Sequence, residues 1–190
     1  MGLTLHYTFR LRNNNQIPQL VEEVEDICQS LNWEATRWDK NIPVEAQYMP
    51  FEEITDGTLR LQGIFFNPPG CETAVLTFTP QGWSACVTNL LTAEQIFEID
   101  PKLVYCIHTK TQYAGVDIHV ALVALLKYLE KKYFDAAYTD VSDEGNYWDT
   151  LDKDVLHERF DVYNGIIDAW RYSKTKNGKR RIILITLRHN

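Results

Sequence analysis

The residues best equipped for chemistry in this 190-residue chain fall in two polar stretches. The first is Thr109-Lys110-Thr111-Gln112-Tyr113-Ala114-Gly115-Val116-Asp117-Ile118-His119, where a strand-like run ends in a polar loop that passes straight into an apolar helical run. Free backbone N–H groups at such a helix start favour an anion. Lys110 would add charge there, and Thr109, Thr111 and Gln112 would add hydrogen-bonding groups. His119 lies within about the first helical turn, where the positive end of the helix dipole favours a neutral imidazole able to act as base or metal ligand. Asp117 would cap the helix or orient a partner. The loop lacks the Gly-x-x-x-x-Gly-Lys spacing of a P-loop, and a capped helix with a hydrogen-bonded core histidine accounts for the same residues.

The second stretch is Asp140-Val141-Ser142-Asp143-Glu144-Gly145-Asn146-Tyr147-Trp148-Asp149-Thr150. Placing Gly145 sixth in an EF-hand loop puts Leu151 twelfth, where a bidentate Glu is required, so the ordinary calcium loop is excluded. Asp143 and Glu144 beside Tyr147 and Trp148 still suit a hard cation in another geometry, a sugar, or a cationic ligand. A solvated turn held by two aromatic anchors is the alternative. Two further patterns are weaker. Asp154, His157 and Asp161 share a helix face, but the second histidine of a zincin helix is missing; Gly82-Trp83-Ser84-Ala85-Cys86 resembles a nucleophile elbow but has a turn before it and a strand after it.

Lys110-Thr111-Gln112-Tyr113-Ala114-Gly115 with His119, followed by Asp143-Glu144-Gly145-Asn146-Tyr147-Trp148, resembles a family of uncharacterised bacterial proteins. The resemblance covers mainly residues 105–160, with an N-terminal strand and helix of similar style. It implies a bacterial, intracellular origin and supplies no mechanism.

These stretches must be positioned by elements that the hydrophobic pattern marks. Leu3, Leu5, Tyr7, Phe9 and Leu11 alternate with polar residues, as in a half-buried strand, which turns His6 and Arg10 outward. Leu20, Val21, Val24, Ile27, Cys28 and Leu31 recur at helical spacing behind Pro18. A second strand is expected at 33–38, with irregular chain beyond it through Pro43 and Pro50. An Asp56-Gly57 hairpin, strands at 59–66, 73–78 and 83–88, and turns at 67–70 and 79–82 describe an antiparallel meander. Another strand is expected at 103–109 and a short one at 138–141. A helix over 115–133 is apolar almost all round, and a third runs over 152–170 with Leu156, Phe160, Tyr163, Ile167 and Trp170 on one face. Lys176-Asn177-Gly178-Lys179 reads as a tight turn into a last strand.

Composition bounds the class. The chain is 45% hydrophobic and 12% aromatic, enough for one core, and no Gly/Ser-rich or Pro-rich linker divides it, so a single domain is expected. The alternating N-terminus differs from a signal peptide and no apolar run reaches membrane-span length, which points to a cytoplasmic protein. Cys28, Cys71, Cys86 and Cys106 are scattered, as reduced buried thiols would be. Net charge is −7. An acidic segment over 135–161 precedes a basic tail, and the overall acidity argues against nucleic acid.

The expectation is therefore an α+β fold, a mostly antiparallel twisted sheet of about six to eight strands covered by three helices. The functional expectation is a small-ligand or divalent-cation site between the 110–119 and 143–148 loops. There Lys110 would hold an anionic group, His119 would serve as base or ligand, and Asp143 or Glu144 as acid or ligand; metal-assisted or acid–base hydrolysis is the enzymatic version. The competing expectation is a non-catalytic interaction protein, of immunity or adaptor type, or a homo-oligomer, with Tyr147 and Trp148 as surface anchors. Convergence of His119 and Asp143 favours the first; an exposed Trp148 favours the second.

Overall fold

The computed structural model describes residues 2–43, 57–87, 103–104 and 106–177. Through them the chain runs β1 (Thr4–Thr8), α1 (Ile17–Ser30), β2 (Glu34–Pro43), β3 (Thr58–Asn67), β4 (Ala74–Phe78), β5 (Cys86–Val87), β6 (Leu103–Val104), β7 (Ile107–Lys110), α2 (Val116–Tyr133), β8 (Asp140–Asp143), α3 (Tyr147–Thr150) and α4 (Lys153–Asn177). The class is α+β, as the hydrophobic pattern predicts.

The alternation in β1 places Leu3, Leu5, Tyr7, Phe9 and Leu11 in the core. That strand is the centre of a three-stranded antiparallel sheet of order β7-β1-β8. A second antiparallel sheet has the order β2-β3-β4, and β5 pairs with β6. Among the described residues the strands form separate sheets and not one sheet of six to eight strands, and Tyr7 supplies a reason. Its hydroxyl accepts from Val75 N–H (3.2 Å) and donates to Val75 C=O (3.1 Å), so a side chain from one sheet occupies backbone groups on the edge of the other. The turn after β4 does the rest. Among the described residues Trp83 and Ser84 form isolated bridges, to Arg10 and Phe78, and the buried Ser84 hydroxyl accepts from Phe9 N–H at 2.8 Å, a structural use of the serine.

Helix α1 buries Leu20, Val21, Val24 and Cys28 and packs on β2 and β3. It is tied to α2 by Glu23, whose carboxylate accepts from Tyr128, Lys132 and Tyr133. Burial alone would raise the Glu23 pKa, and these donors hold it below the ordinary range. The far end of α2 is closed by Arg12, which donates to the carbonyls of Phe134 (2.6 Å), Lys131 (2.8 Å) and Glu130 (3.1 Å). The helix is less enclosed than its composition suggests, since Ala124, Tyr128, Lys131 and Lys132 are exposed.

Strand β2 continues to Pro43, past its expected end, supported by Arg60 and Gln62 of β3 bonding Asp39 across the pair. The last helix also outruns its expected end, so Lys176 and Asn177 are helical and form no turn; the final strand lies outside the described residues. Leu156 and Phe160 anchor α4 in the core, whereas Val162 and Ile166 are exposed. The Asp56 half of the expected hairpin also lies outside the described residues. All four cysteines are free, and burial pushes the Cys28 thiol up to about 11. Cys106 departs from the buried-thiol expectation and is exposed. Among the described residues no helix is long and apolar enough to cross a membrane.

Candidate functional site

Pairing between β1 and β7 runs one residue beyond the strand, with Thr111 N–H donating to Leu3 C=O at 2.8 Å. Strand alternation then turns Thr109 and Thr111 inward, and both are buried. The Thr109 hydroxyl meets Tyr7 Oη at 3.2 Å, whereas the Thr111 hydroxyl lies 2.8 Å from His119 Nδ1. His119, one turn into α2, has no exposed surface, and its Nε2 lies 3.1 Å from Asp143 Oδ2. Asp143 ends β8, and its carboxylate also organises the following turn. Trp148 N–H donates to Oδ2 (2.8 Å) and Gly145 N–H to Oδ1 (2.7 Å).

Burial by itself would raise the Asp143 pKa. The hydrogen bond and charge interaction with His119, together with the two backbone N–H groups, outweigh it and hold this carboxyl below its ordinary value. An ionised carboxylate only accepts, so Nε2 is the protonated ring nitrogen. In a neutral ring Nδ1 then accepts from the Thr111 hydroxyl. In an imidazolium, Nδ1–H donates to that oxygen, and the hydroxyl proton can turn to Leu3 C=O, 3.3 Å away. Either state of His119 leaves every member of the relay bonded.

The connectivity, carboxylate to imidazole to hydroxyl, is that of a nucleophilic triad. Its setting is different. Phe160 and Tyr147 stand nearly perpendicular to the His119 ring at centroid distances of 6.0 and 6.4 Å, and neither Thr111 nor His119 has exposed surface for a substrate to meet. The relay holds the end of β7, the start of α2 and the β8–α3 turn together, which is a positioning role.

The structure therefore brings together Thr111, His119, Asp143, Tyr147 and the backbone of Trp148. It does not bring in Glu144 or Asp117, both exposed. Asp117 does not cap α2 either, because Gly115 is the N-cap and no side chain bonds the helix start. Tyr147 and Trp148 are buried rather than displayed, with Lys127 Nζ 4.1 Å from the centre of the Trp148 ring, so they do not form the anchor surface an interaction module requires. Asp154, His157 and Asp161 are exposed along α4. Among the described residues no three His, Cys, Asp or Glu side chains are grouped to hold a metal ion.

The other polar end of the loop lies at Lys110, Gln112 and Tyr113. Gln112 is 3% exposed, yet among the described residues neither its Nε2 nor its Oε1 has a hydrogen-bond partner. Its position is tight: a Cβ on Gly2 would overlap Gln112 Oε1 and would lie 2.5 Å from Lys110 Cε and 3.2 Å from Lys110 Nζ. The amide and the ammonium therefore close over one point. Glu72 holds this corner from the connection between β3 and β4, donating its own N–H to Lys110 C=O (2.9 Å) and accepting Lys110 N–H on its carboxylate (3.2 Å). Beside them Tyr113 is 66% exposed, with Lys110 Nζ 5.9 Å from its ring centre.

No protein-family model, curated protein or solved structure matches this chain.

Sequence reasoning missed Leu3, Gly2, Tyr7 and Phe160. Tyr7 and Thr109 could have been paired only with the β1–β7 register in hand. Phe160 was assigned to an apolar helix face without any sign of the histidine it covers.

Proposed function

We propose that the corner formed by Lys110, Gln112 and Tyr113 binds a small carboxylate-bearing molecule with a hydrogen-bond donor, an N–H or O–H group, beside its carboxylate. The observation behind this reading is the Gln112 carboxamide, buried next to an ammonium with both polar atoms unpaired. Leaving such a buried group unsatisfied costs about 1–3 kcal/mol, and a ligand offering one acceptor and one donor recovers that cost on binding. In this reading Lys110 meets the negative charge, Gln112 Nε2 donates to the carboxylate, Gln112 Oε1 accepts from the neighbouring donor, and Tyr113 covers the ligand. The Thr111–His119–Asp143 relay fixes the loop from behind and takes no part in bond making.

Thermal-shift and calorimetric titrations with glycine, lactate, acetate and inorganic phosphate test it. Glycine and lactate, which carry the donor, are expected to raise the melting temperature more than acetate, and Lys110→Met is expected to remove the effect. A wild-type protein that responds to none of the four, or to all four equally with Lys110→Met unchanged, would overturn the assignment.

A further inference from the structure

The outer face of the β7-β1-β8 sheet carries a second arrangement, independent of the loop site. The register places His6 of β1 directly opposite His108 of β7. Thr111 N–H bonds Leu3 C=O, which makes Leu3 and Thr111 a hydrogen-bonded pair, and the alternation of an antiparallel ladder then makes His6 and His108 a non-hydrogen-bonded pair. In that type of pair the side chains stand closest. The two rings lie 6.1 Å apart between centroids and are inclined by 38°. His6 is half-buried and His108 exposed, and neither ring makes a hydrogen bond or ion pair among the described residues.

We infer that His6 and His108 together bind a divalent transition metal of the copper, nickel or zinc class. A metal about 2.1 Å from one nitrogen of each ring would hold the ring centres roughly 5 to 6 Å apart, so the observed spacing needs little adjustment. Imidazole suits these metals, and the order of affinity runs from nickel up to copper, with zinc below copper. The strand pair holds both rings on a rigid ladder before the metal arrives, so the second ligand binds at a high effective concentration. Ser142, opposite His6 on β8, and the exposed Asp140 leave the rest of the coordination sphere to water or to a ligand from outside. The site is open and two-coordinate from the protein.

The test uses the untagged full chain carrying Cys106→Ser, which removes an exposed thiol that would compete for copper. Calorimetry with Ni²⁺ and Zn²⁺, and electron paramagnetic resonance with Cu²⁺, are expected to give one equivalent bound, with two nitrogen donors on copper. His6→Gln and His108→Gln are each expected to weaken binding at least about tenfold and to leave at most one of the two nitrogens. His157→Gln, altered at an exposed histidine of α4, is expected to bind as before. Circular dichroism confirms that each variant is folded. Absence of stoichiometric binding, or affinity unchanged in both sheet variants, would overturn the inference.

Discussion

Asp143 Oδ2 lies 3.1 Å from His119 Nε2, and the same oxygen also takes the backbone N–H of Trp148 at 2.8 Å. One buried carboxylate thus fixes both a ring in α2 and the start of α3. It cannot be replaced by an amide without pointing N–H at N–H.

Asp143→Asn is therefore expected to destabilise the protein by at least about 1–3 kcal/mol, the cost of leaving a buried hydrogen-bonding group unsatisfied. Thr111→Val, which strands only Nδ1 of His119, should cost about 1–3 kcal/mol. Denaturant unfolding measures both. A double-mutant cycle between Thr111→Val and His119→Phe should show coupling above about 0.5 kcal/mol, because the two side chains share one hydrogen bond.

The Asp143 pKa is lowered in the folded protein, which sets the sign of its pH dependence. An unfolded aspartate titrates near about 3.9, so the stabilisation is complete above that value and is lost as pH falls through the lower folded value. Unfolding followed from roughly pH 6 to pH 2 should show a steeper acid loss in wild type than in Asp143→Asn. Parallel acid limbs would contradict the account of this carboxylate.

Tyr7→Phe removes the hydroxyl that bonds both Val75 N–H and Val75 C=O, and the buried edge of β4 has nothing to replace it. The expected loss is about 1–3 kcal/mol, with the sheets intact. Hydrogen exchange at Val75 should accelerate more than at Phe66, which β4 pairs directly through Ala74. Burial pushes the Tyr7 phenol up to about 12, so the wild-type bond persists through ordinary alkaline conditions.

Gly145 has no room for a side chain. A Cβ there would lie 2.6 Å from Leu156 Cδ1, 3.0 Å from Asp143 Oδ1 and 3.1 Å from His119 Cε1. Gly145→Ala should cost about 1–3 kcal/mol through overpacking. Adding Leu156→Val should recover part of that loss, measured by thermal unfolding.

The sequence made part of this legible, and the boundary has a physical cause. Period-two alternation in β1 and helical spacing in α1 are local signals, and both elements appear where the pattern places them. Loop composition leaves both a ligand site and a hydrogen-bonded core histidine open for His119; its bond to Asp143 and its cover by Phe160 depend on residues distant in sequence, which no local pattern joins. Separation of the sheets was hidden for a related reason: Tyr7 does with a side chain what a strand would do with its backbone. The His6–His108 pair depends on a register between strands far apart in sequence, which no local pattern encodes. In the sequence Gln112 is one polar residue among several; its burial without a partner among the described residues is what distinguishes it.

The central claim is that Gln112 is kept buried and unpaired for a ligand. The most direct measurement is the unfolding free energy of Gln112→Leu against wild type, without ligand and with glycine. The account predicts that the variant is more stable than wild type without ligand, by about 1–3 kcal/mol, and gains nothing from glycine, which stabilises wild type. A variant less stable than wild type without ligand, or one that glycine stabilises equally, would contradict it.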